Sequence, residues 1–298
     1  MERPKVLAAI GVAGMVLAAC GGGPQGGSQT IKGTIKIGVD MPTSGSDASD
    51  GLPTSKGAQL AVTKAGKVCG ASSHTDACFT LQAMPLDDAV NGVHDPAQGA
   101  KNVQQFVSDS TVLGMVGPFN SSVARAEMPI GNSANLAMIS PANTNECLTQ
   151  EPSDGHCAGQ AAKLRPTGKN NYFRVCTTDL IQGPAAADFA SKKLSTAATF
   201  LTDYKAKYGE DAGAYSAQAY DAGAIIIAAI SRAIDDAGGN MPTRDQVTAE
   251  VAKTKNYKGV IGTTSFDSNG DTSLKIITVY KWNPDTSKSE FADQVTVS

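Results

Sequence analysis

The sequence predicts an α/β fold, a parallel sheet covered by helices. Three observations lead there. Short apolar strand patterns alternate with helical ones along most of the chain. Polar loops of Gly, Ser, Asn and Pro separate each strand from the helix that follows. The 298 residues are 41% hydrophobic and 18% charged, which suits a buried core and is too polar for a multi-span membrane protein. That length allows one large domain or two lobes of ordinary size.

Ile35-Lys36-Ile37-Gly38-Val39 reads as the first strand, followed by a Gly/Ser/Asp loop from Thr43 to Gly51 and a helix around Lys56 to Lys64. Phe79 to Leu86 reads as a strand. Asp95-Pro96 marks a helix start, with Asp as N-cap and Pro in the first turn, where its missing N–H is not needed. That helix puts Val103, Phe106 and Val107 on one face. Val112 to Val116 is a strand, then comes a Gly-Pro-Phe-Asn-Ser-Ser loop and a helix from about Val123. Leu136 to Ile139 is a strand leading into Ser140-Pro141-Ala142-Asn143-Thr144. Tyr172 to Val175 is a strand and Pro184 to Lys193 a helix. Helical segments follow near 196–208, 214–237 and 243–254, and two strands flank a hairpin turn at Phe266 to Asp271.

The N-terminus points to export. Arg3 and Lys5 precede an apolar stretch, Val6 to Ala19, too short for a comfortable span and of signal-peptide length. Leu17-Ala18-Ala19-Cys20 resembles the bacterial lipoprotein box, in which Cys20 is acylated; Gly21 to Ser28 then reads as a flexible tether. An ordinary signal peptide with an incidental Cys is the plainer alternative.

An exported chain can form disulfides. Cys69 and Cys78 bracket one polar loop and Cys147 and Cys157 another, so local pairing Cys69–Cys78 and Cys147–Cys157 is expected. Cys176 is left over in an apolar strand-like stretch, as a buried free thiol. The formal net charge of −3 argues against a nucleic-acid partner, which usually needs a basic face.

Motifs of catalysis are missing: there is no GxxxxGK[ST], HExxH, CxxC or GxSxG. The histidines, His74, His94 and His156, lie in separate polar loops, and no metal set or cofactor is expected. Asp267-x-Asn269-x-Asp271 hints at a Ca²⁺ loop, but Gly270 falls at the fourth position and Thr278 at the twelfth, so it reads as a turn. Two loops remain. Asn120-Ser121-Ser122 and Ala142-Asn143-Thr144 place hydroxyls and backbone N–H groups at carboxyl ends of strands, where open α/β sheets bind ligands. They suit a small carboxylate, and they equally suit local N-capping.

The order IKIGVDMPTSG, KGAQLAV, LDDAVNGVHDP, VLGMVGPFNSS, LAMISPANTN, YFRVCTTDLIQGPAAADFA resembles the solute-binding proteins of branched-chain amino acid (Leu/Ile/Val-type) ABC importers, which are type I periplasmic binding proteins. The resemblance runs through residues 35 to 190, and extends to FLTDYKAKYGEDAGAYSAQAYDAGAIIIAAI and GTTSFDSNGD. It implies two α/β lobes closing on a ligand. It assigns the ligand carboxylate to the Ser121 hydroxyl and to Ala142 and Thr144, and places Asp179 and Gln182 at the cleft side of the second lobe and Asp50 in the first cleft loop.

One departure stands out. Where the family continues with several βα units after the helix at Pro184 to Lys193, this chain passes almost directly to Tyr204–Gly209. The expected organisation is a signal peptide (1–19), a lipidated tether (20–34), the first lobe (35–170), a remnant of an incomplete second lobe (171–194), first-lobe helices and crossover (195–274) and a final crossover strand and tail (275–298). The expected function is an extracytoplasmic binding lipoprotein that takes a small amino acid or amide, meets ABC permease subunits, and is held at the membrane by its lipid. A receptor-type sensor, or a non-functional deleted copy, is the alternative.

Overall fold

The structure is a computed structural model and describes residues 29–181, 198–213, 215–274, 276–283 and 288–296. In chain order the elements are β1 (Thr30–Met41), α1 (Ala48–Ala65), β2 (Lys67–Cys69), β3 (Ala77–Asp87), β4 (Ala89–Val90), β5 (Val93–His94), α2 (Pro96–Ser108), β6 (Val112–Val116), α3 (Ser121–Ser133), β7 (Ala137–Ser140), α4 (Gln160–Lys163), β8 (Tyr172–Arg174), α5 (Ala198–Tyr208), α6 (Ser216–Asp236), α7 (Arg244–Ala252), β9 (Tyr257–Gly259), β10 (Gly262–Thr264), β11 (Ile276–Asn283) and β12 (Lys288–Thr296). Six strands form the main sheet in the order β2-β3-β1-β6-β7-β8. Its pairs are parallel except β2–β3.

The near-continuous apolar strands are the cause of this arrangement, because a parallel sheet must be covered on both faces. On one face Ile35, Ile37, Val39 and Met41 pack against Ala58 and Val62 of α1, Ile226 and Ile230 of α6, and Val251 of α7. On the other, Met115, Met138 and Tyr172 meet Val103 and Phe106 of α2 and Ala124 and Met128 of α3. Each fully buried Ile or Val among these contributes about 1.5–3 kcal/mol.

Local signals set the helix ends. The Asp95 side chain accepts from Gln98 N at 2.7 Å and Pro96 opens α2. At α7, Thr243 and Gln246 form a reciprocal capping box.

Several expectations are corrected. β1 begins at Thr30, so residues 30–34 are strand rather than tether; Thr30 N donates to Asp76 O at 2.8 Å and Ile31 pairs with Cys78. The loop expected up to Gly51 is already helix from Ala48, with Pro53 inside it. β8, expected to open a second lobe, is instead an edge strand of the main sheet, with Met138 opposite Tyr172 and its three residues buried. The strands expected around Phe266 to Asp271 reduce to one bridge, Phe266 to Thr272, while β11 and β12 pair as a separate hairpin. The helix at Pro184 to Lys193 and the segment 1–28 lie outside the described residues.

Candidate functional site

The carboxyl ends of β1, β6, β7 and β8 point to one edge of the sheet, since these strands run parallel. After β6 the chain turns through Gly117-Pro118, a cis peptide, into Phe119 and Asn120. Asn120 has extended backbone (φ −93°, ψ 136°) and its side chain makes no capping bond to α3. The first turn of α3 therefore starts without a side-chain cap and without an acidic residue, and its half-buried Ser121 and Ser122 stand at the positive end of the helix dipole.

The β7 loop is bound to this turn through two side chains. Ser140 Oγ donates to Pro118 O at 2.8 Å and accepts from Asn143 N at 2.9 Å and Ala142 N at 3.2 Å. Asn143 Nδ2 donates to Phe119 O at 2.7 Å, and Asn143 Oδ1 accepts from Tyr172 OH at 2.6 Å. Asn143 is fully buried, and its side-chain amide and its backbone N–H are both used inside the loops. Thr144 O accepts from Asp179 N at 2.8 Å, which ties the segment after β8 to the same loop.

Ala142, Asn143, Thr144 and Asp179 are thus joined by hydrogen bonds, and the bonds to Pro118 O and Phe119 O set this loop beside Asn120, Ser121 and Ser122, which follow directly in the chain. Asp179 is exposed. Asp50 is also exposed, in the first turn of α1. Gln182 and Cys20 lie outside the described residues. Local pattern did not single out Tyr215, whose ring meets Phe119 edge-on at 5.4 Å. Tyr215 sits at positive φ (59°) ahead of α6, an unusual backbone for a bulky residue.

Cys69 and Cys78 are disulfide-bonded, as are Cys147 and Cys157; Cys176 is a buried free thiol. Burial pushes the Cys176 thiol up to about 12, so it stays protonated. Glu146, Cys147, His156 and Cys157 bring their ligand atoms within 4.8 Å of one another. The two sulfurs are bonded to each other, which removes the thiolates a metal would need. A surface hollow of about 280 Å³ beside α6 is lined by Arg232, Lys253 and Lys255. Its cations are engaged with Glu250 and with Phe266 O, away from the carboxyl strand ends.

Residues 34–197 and 179–288 match the family described as periplasmic binding proteins. The chain belongs to this family. Among curated relatives, a Leu/Ile/Val-binding protein homolog 1 of Brucella melitensis is 25% identical over 176 residues, 59% of this chain and 40% of the relative. An amino acid binding protein of Pseudomonas aeruginosa is 24% identical over the same shares. The chain thus spans well under half the length of the curated relatives it matches. The fold is that of LivJ, a branched-chain amino acid transporter substrate binding protein of Streptococcus pneumoniae solved with isoleucine. That match has TM-score 0.58 and 21% identity, over 88% of this chain and 99% of the other. A leucine binding protein of Thermotoga maritima matches with TM-score 0.59 and 18% identity, over 88% and 99%. A Rhodopseudomonas palustris solute binding protein in complex with benzoate matches with TM-score 0.57 and 14% identity, over 89% and 98%. As a periplasmic binding protein the chain is extracytoplasmic, and no described helix is long and apolar enough to cross a membrane.

Proposed function

We propose that the chain is a lipid-anchored solute-binding protein that captures a small carboxylate, an amino acid or an amide-type relative, and delivers it to ABC permease subunits. The observation that carries this reading is the joining of two donor-bearing loops. Ser140 and Asn143 hold the uncapped start of α3 against Ala142–Thr144, and such a preorganised set of donors is what a carboxylate requires. Ser121 and Ser122 would give hydroxyl and backbone donors and Thr144 its hydroxyl and backbone N–H, beside Ala142, whose own N–H is turned to Ser140 Oγ. Asp50 and Asp179 would offer negative charge to an ammonium. Acylation of Cys20 after removal of residues 1–19 would supply the anchor, and the two disulfides suit that compartment.

The family matches this chain in two stretches that overlap at residues 179–197. This supports an internal shortening between β8 and α5, within the second lobe. A ligand held mainly from one lobe loses water with fewer bonds in return, so weak affinity is expected. Calorimetric titration with Leu, Ile, Val, short amides and benzoate tests both points. Expected are dissociation constants above micromolar, loss of binding for the methyl esters, and weaker binding in Ser121→Ala/Ser122→Ala with unchanged circular dichroism. Esters binding as well as acids would refute the carboxylate site. Micromolar or tighter binding would refute the impaired clamp.

A further inference from the structure

Beneath the same loops lie side chains that ligand capture does not use. Asp40 near the end of β1, Asp88 directly after β3 and Glu127 in α3 are each 0% exposed. Counted as carboxylates, five of their oxygens have no partner: Asp40 Oδ2, both of Asp88 and both of Glu127. Asp40 Oδ1 accepts from Asn102 Nδ2 at 2.7 Å.

The surrounding elements bring more acid. Asp87 ends β3, Asp47 precedes α1 and Asp95 caps α2. The cations of the packed elements face elsewhere. Lys36 of β1 pairs with Asp109, Arg125 of α3 reaches Asn145, Lys101 of α2 is exposed, and His94 of β5 holds Asp47 at 2.6 Å. An unpaired buried carboxylate is so unfavourable that it takes up a proton instead.

The Asp40 and Glu127 carboxyls are within hydrogen-bonding reach of each other. Burial raises both, and the Asp40 charge raises Glu127 further, so the pair holds a proton between its two carboxyls. Burial first, then the charges of Asp40, Asp87, Asp47 and Asp95, push Asp88 up to about 8. One shared cation is a poorer occupant. The group of ligand atoms gathered within 4.8 Å among the described residues is the one around Cys147 and Cys157, not these three.

The position of the cluster gives it leverage. A Cβ built on Gly99 of α2 would lie 2.3 Å from Val123 Cγ1 and 2.8 Å from Glu127 Oε1, so α2 presses directly on α3 at this level. The first turn of the same α3 bears Ser121 and Ser122.

We propose that Asp40, Asp88 and Glu127 form a proton-holding site that seats α3, and that losing its protons at alkaline pH loosens this helix and the Ser121–Ser122 turn. The last clause rests on the ligand reading above; the proton-holding itself does not. For a carboxyl raised in the folded state, stability is full below the unfolded value near 4. It falls as pH rises toward the folded value, and levels beyond it.

The test uses the ligand-free full chain. Difference infrared spectra of the wild type in deuterated buffer, from about pH 6 to about pH 10, are expected to lose a protonated-carboxyl C=O band. The band should shrink in Glu127→Gln and in Asp88→Asn. The denaturant midpoint of the wild type should fall over the same range, and fall less in Glu127→Gln, whose amide keeps a donor at every pH. A wild type without the band at neutral pH, or with a flat midpoint, overturns the proposal. So does a stoichiometric cation in dialysed protein whose chelation reproduces the loosening at constant pH. Loss of amino-acid binding with this pH response intact would count against the ligand reading alone.

Discussion

Arg174 Nε donates to Asp271 Oδ1 at 2.6 Å, and no part of the arginine side chain is exposed. The guanidinium goes on to Asn143 O at 2.8 Å, Asn145 O at 2.9 Å and Thr149 Oγ1, while Asp271 also accepts from Gln150 Nε2 at 2.6 Å. One buried pair thus clamps the loop after β7 between β8 and the turn at Asp267–Asp271. Removing a single partner leaves a buried charge without compensation, at a cost of about 3–5 kcal/mol. Arg174→Met is therefore expected to lower unfolding free energy by roughly that amount. Arg174→Met/Asp271→Leu should lose less than the sum of the single variants, as neighbours in one network do. Denaturant unfolding of the single and double variants checks both; additive losses would mean the two groups do not act as a pair.

Tyr172 makes a smaller test of the same loop. Its hydroxyl, fully buried, donates to Asn143 Oδ1 at 2.6 Å. Tyr172→Phe leaves that acceptor unsatisfied in the core and should cost about 1–3 kcal/mol. Calorimetric melting gives the size. If the loop is the ligand platform, affinity should fall with it, because Asn143 also holds Phe119 O.

How far these features can be read in sequence depends on their range. The start of α2 is legible because Asp95 and Pro96 act within one turn. β6 and β7 are legible because they are short apolar runs between polar loops. β2 is not: Lys67-Val68-Cys69 is too short and too polar, and is a strand only because β3 pairs with it. β8 has the composition of any buried strand, so nothing in Tyr172-Phe173-Arg174 tells which sheet it joins. The convergence of Ser121 with Ala142–Thr144 follows from strand-end topology, whereas the interior side of the site does not. Asp40 and Glu127 are 87 positions apart (127 less 40), and a glutamate in a helix reads as solvent-facing until Gly99 lets the helices close on it.

Asp109 carries a prediction at the acid end of the pH scale. Lys36 Nζ lies 2.7 Å from its Oδ2, and Thr111 donates through N at 2.9 Å and Oγ1 at 2.6 Å to its Oδ1. The Lys36 bond first, then those from Thr111, hold the Asp109 carboxyl down at about 2. A depressed carboxyl stabilises the fold above its unfolded value near 4 and loses that contribution as pH falls through the folded value. In Lys36→Met the Asp109 midpoint, followed by carboxyl NMR, should rise toward the ordinary value. The pair is about one-third exposed, so the gain in stability is modest and salt-dependent. An unchanged midpoint in Lys36→Met would leave Thr111 as the sole cause.

Gly57 of α1 sets two effects against each other. Replacing a helical glycine with alanine ordinarily favours the helix by about 1 kcal/mol. Here a Cβ would lie 2.0 Å from Ser216 O and 2.8 Å from Ser216 C, backbone atoms at the start of α6 that no rotamer change can move away. Ser216 is itself held, its Oγ donating to Pro53 O at 2.8 Å, and α6 carries Ile226, Ile230 and Ile234 into the core. Relief therefore requires α1 and α6 to separate, and overpacking of this kind costs about 1–3 kcal/mol or more. Gly57→Ala should be destabilising, by about 1 kcal/mol at the middle of that range once the propensity gain is subtracted. Chemical denaturation measures this directly; a neutral or stabilised variant would show that the α1–α6 contact can open without loss.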